Sequence, residues 1–409
     1  MHRFIVIFSL ILVLGFMGPV VSIADLSVTP LVEQVKDYLR EKDGEEPTPV
    51  AIVGEFNKIS AELYQEGKYA VATLVAEAAR NYANRTLGPE HLDTLTSINN
   101  LAMLYESQGR YGEAEPLYRR ALEARERVLG QEHPHTLTSI NNIAMLYQSQ
   151  GRYDEAEPLL RRALEASERV LGQEHPDTLI SINNLAALYQ SQGRYDEAEP
   201  LLRRALEAYE RVLGQKHPDT LTSINNLAAL YKFQGRYDEA EPLYRRALEA
   251  RERVQGQEHP DTLSSVNNLA ALYESQGRYG EAEPLYRRAL EARLRVLGQD
   301  HPDTLTSVSN LAALYQSQGR YGEAEPLYRR AMEVRTRVLG KEHPDTLISV
   351  NNLAMLYKSQ GRYGEAEPLL NRALAARERV LGQEHPDTLN NINNLAAMYQ
   401  SQGRFGEAK

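Results

Sequence analysis

A unit of 42 residues recurs along this chain with little drift, and that recurrence constrains the fold more than any other feature. One copy reads GQEHPDTLISINNLAALYQSQGRYDEAEPLLRRALEAYERVL, from Gly172 to Leu213. Its opening glycine returns at Gly88, Gly130, Gly214, Gly256, Gly298, Gly340 and Gly382. A unit of this size cannot bury its apolar face alone, so copies must stack into a solenoid with one continuous core. Stacking overrides the two or three ordinary domains that 409 residues would otherwise suggest. An elongated stack is suited to binding and offers no obvious place for a single asymmetric catalytic centre.

Two helices are written into each unit. From Pro176, apolar residues fall at Leu179, Ile182, Leu185, Ala186, Leu188 and Tyr189. From Asp196 they fall at Ala198, Leu201, Leu202, Ala205, Leu206, Tyr209, Val212 and Leu213. Both series follow the i, i+3, i+4, i+7 spacing of an amphipathic helix. Pro176 suits a first helical turn, where its missing N–H is not needed. Asp177 and Asp196 put negative charge at the positive ends of the two helices. Gly193 and Gly214 are placed to end them in the left-handed conformation. Pro200 lies about a turn into the second helix and predicts a slight kink.

Five segments follow. Residues 1–24 read as a secretory signal: a basic start, an apolar run over residues 4–21, then Ser22-Ile23-Ala24 as a cleavage site. The alternative is an uncleaved membrane anchor, because the run approaches the roughly 20 residues that span a bilayer. Residues 25–49 form a short helix, with Leu31, Val35, Tyr38 and Leu39 on one face, and a hydrophilic linker from Glu41 to Pro49. Residues 50–87 are a divergent copy in register with the rest, suited to an amino-terminal cap. Residues 88–381 are seven regular copies, and residues 382–409 are an eighth that stops in mid-unit.

Composition narrows the function. The net charge of −10 argues against a nucleic-acid partner, which needs clustered Lys and Arg. Arg is plentiful but interleaved with Glu; Glu115 with Arg119 and Glu123 with Arg127 are i,i+4 pairs that predict a solvated helix face. The chain has no Cys, so disulfides, thiolate metal sites and cysteine nucleophiles are excluded.

Leu185-Ala186, Tyr189, Gly193, Tyr195, Ala198, Leu202 and Ala205 resemble the tetratricopeptide signature. Ile182 stands where that signature carries Trp, and the unit is eight residues longer than the standard 34. His-Pro-Asp-Thr, then Asn-Asn-Leu-Ala-Ala-Leu-Tyr, then Gly-Arg-Tyr-Asp-Glu-Ala-Glu-Pro-Leu is similar to the kinesin-light-chain subclass of these repeats, which is widespread in bacterial proteins. The resemblance covers about residues 50–409 and implies an all-α, right-handed superhelical solenoid of antiparallel helix pairs. It implies that the first helices line a concave, peptide-binding surface. It also implies that the second Asn of each Asn-Asn pair bonds the backbone of an extended peptide.

Those asparagines are Asn100, Asn142, Asn184, Asn226, Asn268, Asn310, Asn352 and Asn394. Asn is a mediocre helix former, so holding pairs of them in mid-helix points to a task. A ladder in which each Asn bonds the neighbouring repeat is the competing role. Positions that vary between copies carry any selectivity; one set is Glu106, Gln148, Gln190, Lys232, Glu274, Gln316, Lys358 and Gln400. Phe233 replaces the Ser found there in the other regular copies and is a candidate aromatic anchor.

Eight histidines, from His91 to His385, recur in step but cannot converge on one zinc ion. Its ligands lie within ~2.3 Å of it, whereas neighbouring helices are roughly 8–10 Å apart. No catalytic motif or cofactor site appears. The expectation is an exported, periplasmic or secreted, non-enzymatic scaffold without cofactor or metal that binds peptides or proteins. Membrane contact is confined to residues 4–21 if they are retained. The alternative is the sensing arm of a larger enzyme, for example a caspase-like (CHAT) peptidase beyond Lys409.

Overall fold

A computed structural model describes residues 28–407; the expected signal or anchor over residues 1–24 lies outside the described residues. Eighteen helices and no strand make up the described residues. Helix α1 (Val28–Asp43) runs three residues into the stretch expected as linker. The divergent copy is α2 (Pro49–Gln65) and α3 (Tyr69–Thr86). First helices of the regular copies are α4 (Leu92–Ser107), α6 (Pro134–Ser149), α8 (Pro176–Ser191), α10 (Pro218–Phe233), α12 (Pro260–Ser275), α14 (Pro302–Ser317), α16 (Pro344–Ser359) and α18 (Pro386–Ser401). Second helices are α5 (Tyr111–Leu129), α7 (Tyr153–Leu171), α9 (Tyr195–Leu213), α11 (Tyr237–Val254), α13 (Tyr279–Val296), α15 (Tyr321–Val338) and α17 (Tyr363–Val380). The chain divides into two compact units, one ending at Leu146 and one beginning at Tyr147.

The local signals act as follows. His175 sits in extended backbone before α8, and its Nδ1 accepts the Asp177 N–H at 3.2 Å. That makes the histidine an N-cap, with Pro176 at the first helical position. At the other end Gly193 has φ +72°, and the Arg194 N–H donates to the Tyr189 carbonyl at 2.8 Å. This is the Schellman closure, which needs a residue free of a Cβ penalty at Gly193. Gly214 departs from expectation: at φ +85° and ψ 165° it is not left-handed helical but in the extended region that only glycine enters readily. Pro200 lies inside α9 without interrupting it.

Ile182, Ala186 and Leu188 of α8 and Ala198 and Ala205 of α9 are fully buried. Small residues at the crossing let the two helices approach, and each buried Leu or Ile contributes roughly 1.5–3 kcal/mol. In the second unit, two pairs of successive first helices also touch, α10 with α12 and α16 with α18. No two successive second helices pack as closely there. At these points within the second unit the first helices therefore lie on the inner side.

Charged residues stitch the repeats from outside. Arg194 pairs with Glu157 of the preceding copy and with Glu197 of its own, both at 2.6 Å, and lies 4.2 Å from the Tyr189 ring centroid. Hydrogen bonds from Arg194 hold the Glu157 and Glu197 carboxyls below their ordinary range. The motif repeats at Glu199–Arg236, Glu241–Arg278, Glu283–Arg320 and Glu325–Arg362.

Candidate functional site

The eight second asparagines occupy equivalent places on the first helices, and every one is half-buried. Asn142 Nδ2 donates to Asn99 Oδ1 at 3.0 Å, and Asn394 Nδ2 to Asn351 Oδ1 at 3.0 Å. Those two copies follow the ladder reading. The side chains of Asn100, Asn184, Asn226, Asn268, Asn310 and Asn352 make no hydrogen bond among the described residues. Each leaves a donor and an acceptor open on the inner side.

The first asparagines do different work. Asn225 and Asn267 are 6% and 7% exposed, and the Asn225 Nδ2 donates to Ser265 Oγ of the next copy at 3.1 Å. Ser309 stands where the other copies carry the first Asn, and its hydroxyl donates to the Leu305 carbonyl of its own helix at 3.0 Å. At Asn225-Asn226 and Asn267-Asn268 the first residue is buried and the second half-buried, whereas in the last copy Asn393 is exposed.

Beneath this row lies a feature that the sequence reading missed. Arg125, Arg251, Arg293 and Arg377 of the second helices are 4–6% exposed, where a solvated face was expected. Arg251 Nη1 donates to Ser265 Oγ at 2.9 Å and to the Asp261 carbonyl at 2.8 Å; Nη2 donates to Thr222 Oγ1 at 2.9 Å. Arg125, Arg251 and Arg293 each bridge the first helices of two successive copies in this way, while Arg377 reaches only the Asp387 carbonyl and Asn391 Oδ1 of the following one. Burial pulls these guanidinium pKa values down, and neutral oxygens rather than carboxylates receive their hydrogen bonds. The expected Glu123–Arg127 pair is also replaced, since Arg127 reaches Glu90 across the repeat at 2.9 Å, while Glu115–Arg119 forms at 2.8 Å. A signal was available: the Arg251 position becomes Ser167 and Tyr209 in two copies, an exchange foreign to a solvated face. Where Tyr209 stands, the Ser223 hydroxyl of the next copy is buried without a partner.

Lys232 and Phe233 stand at positions where the copies differ. Gln148 Nε2 donates to Ser191 Oγ of the next copy at 2.8 Å. Phe233 removes that serine one copy later and is 58% exposed. The Lys232 ammonium lies 5.3 Å from the Phe233 ring centroid, and burial lowers its pKa. One repeat on, Glu274 accepts from Tyr286 Oη at 2.9 Å and from Ser317 Oγ at 3.3 Å, while burial raises its carboxyl. Phe233 is thus an accessible ring flanked by a partly desolvated cation.

The histidines are spent on the caps. His91, His175, His217, His259, His301, His343 and His385 each accept a backbone N–H through Nδ1 from the Asp two residues on, and His133 from His135. Among the described residues no cluster of His, Asp and Glu is arranged to hold a metal ion. An open depression of about 470 Å³ involves Arg245, Glu249, Glu252 and Arg288 of the second helices, and none of the asparagines lines it.

A tetratricopeptide-repeat model matches this sequence in overlapping windows, the first over residues 57–127 and the last over 348–409. The chain belongs to the tetratricopeptide-repeat family, whose arrays are protein-interaction scaffolds. Its repeats are of the kinesin-light-chain-like kind. A kinesin light chain of Podosopora anserina with nearly identical TPR-like repeats is 31% identical, covering 50% of this chain and 97% of that one, with a TM-score of 0.43. BtubC (BKLC) from P. vanneervenii is 29% identical, covering 57% of this chain and 92% of that one, with a TM-score of 0.46. A Rap protein complexed with competence and sporulation factor shares the fold at 13% identity and a TM-score of 0.57, covering 87% of this chain and 94% of that one. No match was found among curated proteins.

Proposed function

We propose that this protein is a non-enzymatic scaffold that holds extended peptide segments of partner proteins along the inner side of its first helices. The observation that carries this reading is the row of half-buried asparagine amides without partners at Asn184, Asn226, Asn268, Asn310 and Asn352. A side-chain amide offers donor and acceptor together, which matches the N–H and C=O of any peptide backbone. Phe233 supplies a side-chain anchor within an otherwise repetitive surface. Peptides selected from a randomised display library against residues 25–409 supply the probe. Asn184→Ala with Asn226→Ala should weaken the selected peptides at least tenfold with the helical circular dichroism intact. Unfolding of the double variant would make the row structural. Unchanged affinity would remove the asparagines from the site.

Export is part of the proposal and rests on the basic and apolar start of the sequence. No helix among the described residues is long and apolar enough to cross a membrane. Mass spectrometry of the native protein should find Asp25 at the amino terminus. A full-length chain in the cytosol would contradict export, and an uncleaved chain in the membrane would identify an anchor.

A further inference from the structure

Within the second unit the chain meets itself across several copies. The turn between α6 and α7 meets the start of α18, 236 residues on: His385 Nε2 lies 2.9 Å from the Ser149 carbonyl. The tautomer follows from the cap. His385 Nδ1 accepts the Asp387 N–H at 3.0 Å, so Nε2 carries the proton and donates to Ser149. His385 and His343 are both buried, whereas His175 is exposed and His217 half-buried.

Sterics mark the same point. A Cβ at Gly151 would stand 2.5 Å from Pro386 Cδ. At the equivalent Gly193, Gly235, Gly277, Gly319 and Gly361 it would meet nothing within 4 Å. All six share the same positive φ, between 71° and 73°. Tyr153 lies within range of the Asp387 charge, which together with burial raises its phenol pKa.

We propose that Ser149–Tyr153 and His385–Asp387 form an intramolecular latch that closes one turn of the second unit. Stacked repeats behave as a spring, because each contacts only its neighbours and small rotations accumulate along the array. A contact that skips the intervening copies fixes the pitch of that spring. Its strength is modest. One net hydrogen bond biases a two-state equilibrium by roughly two- to tenfold, which leaves an open state within reach of a ligand that prefers it. The latch stands whether or not the inner side binds peptides, since its geometry involves none of the asparagines.

The chain has no Cys, so spin labels can be placed uniquely at Asp154→Cys and Glu384→Cys, both exposed and flanking the contact. Double electron–electron resonance on residues 25–409 should give one short, narrow distance distribution. Gly151→Ala should lengthen and broaden it. Gly193→Ala carries the same backbone strain without the clash and should leave it unchanged. His385→Asn retains an N-cap but cannot reach Ser149, and should open the latch where His217→Asn does not. A long or broad distribution in the parent would overturn the proposal, and so would equal responses of the two glycine variants.

Discussion

Arg251 and Ser265 stand in successive repeats, and Arg251 Nη1 donates to Ser265 Oγ at 2.9 Å from a site that is 5% exposed. The same serine accepts from Asn225 at 3.1 Å, so one hydroxyl joins the second helix and first helix of one copy to the first helix of the next. A buried guanidinium needs such oxygens, because an unmet donor costs its full desolvation.

Ser265→Ala should therefore destabilise the array by about 1–3 kcal/mol, since it leaves two buried donors short of an acceptor. Ser223→Ala removes a hydroxyl that has no partner and should cost well under half as much. Thermal denaturation of the two single variants, side by side, makes the comparison. Equal losses would show that the buried arginine does not depend on the serine.

The histidine caps are testable one helix at a time. His175→Ala should weaken α8 by about 1 kcal/mol, and His175→Asn, which keeps an acceptor, by only a few tenths. Amide exchange over residues 176–180 reads this locally. Identical protection in both variants would separate the histidine from capping.

Glu274 gives a pH prediction with a definite sign. Burial raises its folded pKa above the ordinary carboxylate value, so folding favours its protonated form. Its contribution to stability is present below the unfolded pKa, falls as pH rises toward the folded pKa, and remains a penalty at neutral pH. Glu274→Gln keeps one acceptor oxygen and offers an amide N–H to the other hydroxyl, and should raise the melting temperature at pH 7 more than at pH 4. Glu199 runs the other way: Arg236 lowers its pKa, so its stabilisation is present at neutral pH and is lost on acidification below the ordinary carboxylate pKa. Glu199→Gln should accordingly destabilise at pH 7 and cost progressively less as the pH falls below the ordinary carboxylate pKa. A Glu274→Gln shift equal at both pH values would refute the assignment of the penalty to ionisation.

Helix α18 should be the least stable first helix in the second unit. Leu389 and Ile392 are 46% and 38% exposed there, whereas Leu347 and Val350 at the equivalent places of α16 are 1% and 0% exposed. Little apolar burial means low local stability. Amides over residues 386–403 should exchange at least tenfold faster than those over 344–359, and equal protection would show that the exposed face is covered in solution.

Periodicity alone determined much of this protein. Two amphipathic helices per unit follow from the spacing of Leu179, Ile182, Leu185 and Leu188 and of Ala198, Leu202 and Ala205, because a 3.6-residue period is a local property that stacking only reinforces. The turn at Gly193 was equally legible, since the left-handed closure there depends on a single residue type. Tertiary structure decided everything that depends on which copy a side chain reaches. Arg194 and Glu197 are neighbours in sequence, yet Arg194 also pairs with Glu157 of the preceding copy, 37 residues away. Arg251 looks like its solvated neighbours in sequence and is buried, because the angle between copies points it between two first helices. Asn225 and Asn226 are identical in type and adjacent, but one is sealed against Ser265 and the other is left open. His385 and His217 carry the same motif, and only the return of the chain puts a carbonyl beside one of them. A repeat sequence specifies its unit many times over. It specifies the geometry between units only through the small rotations that accumulate from copy to copy, and those belong to the packed structure.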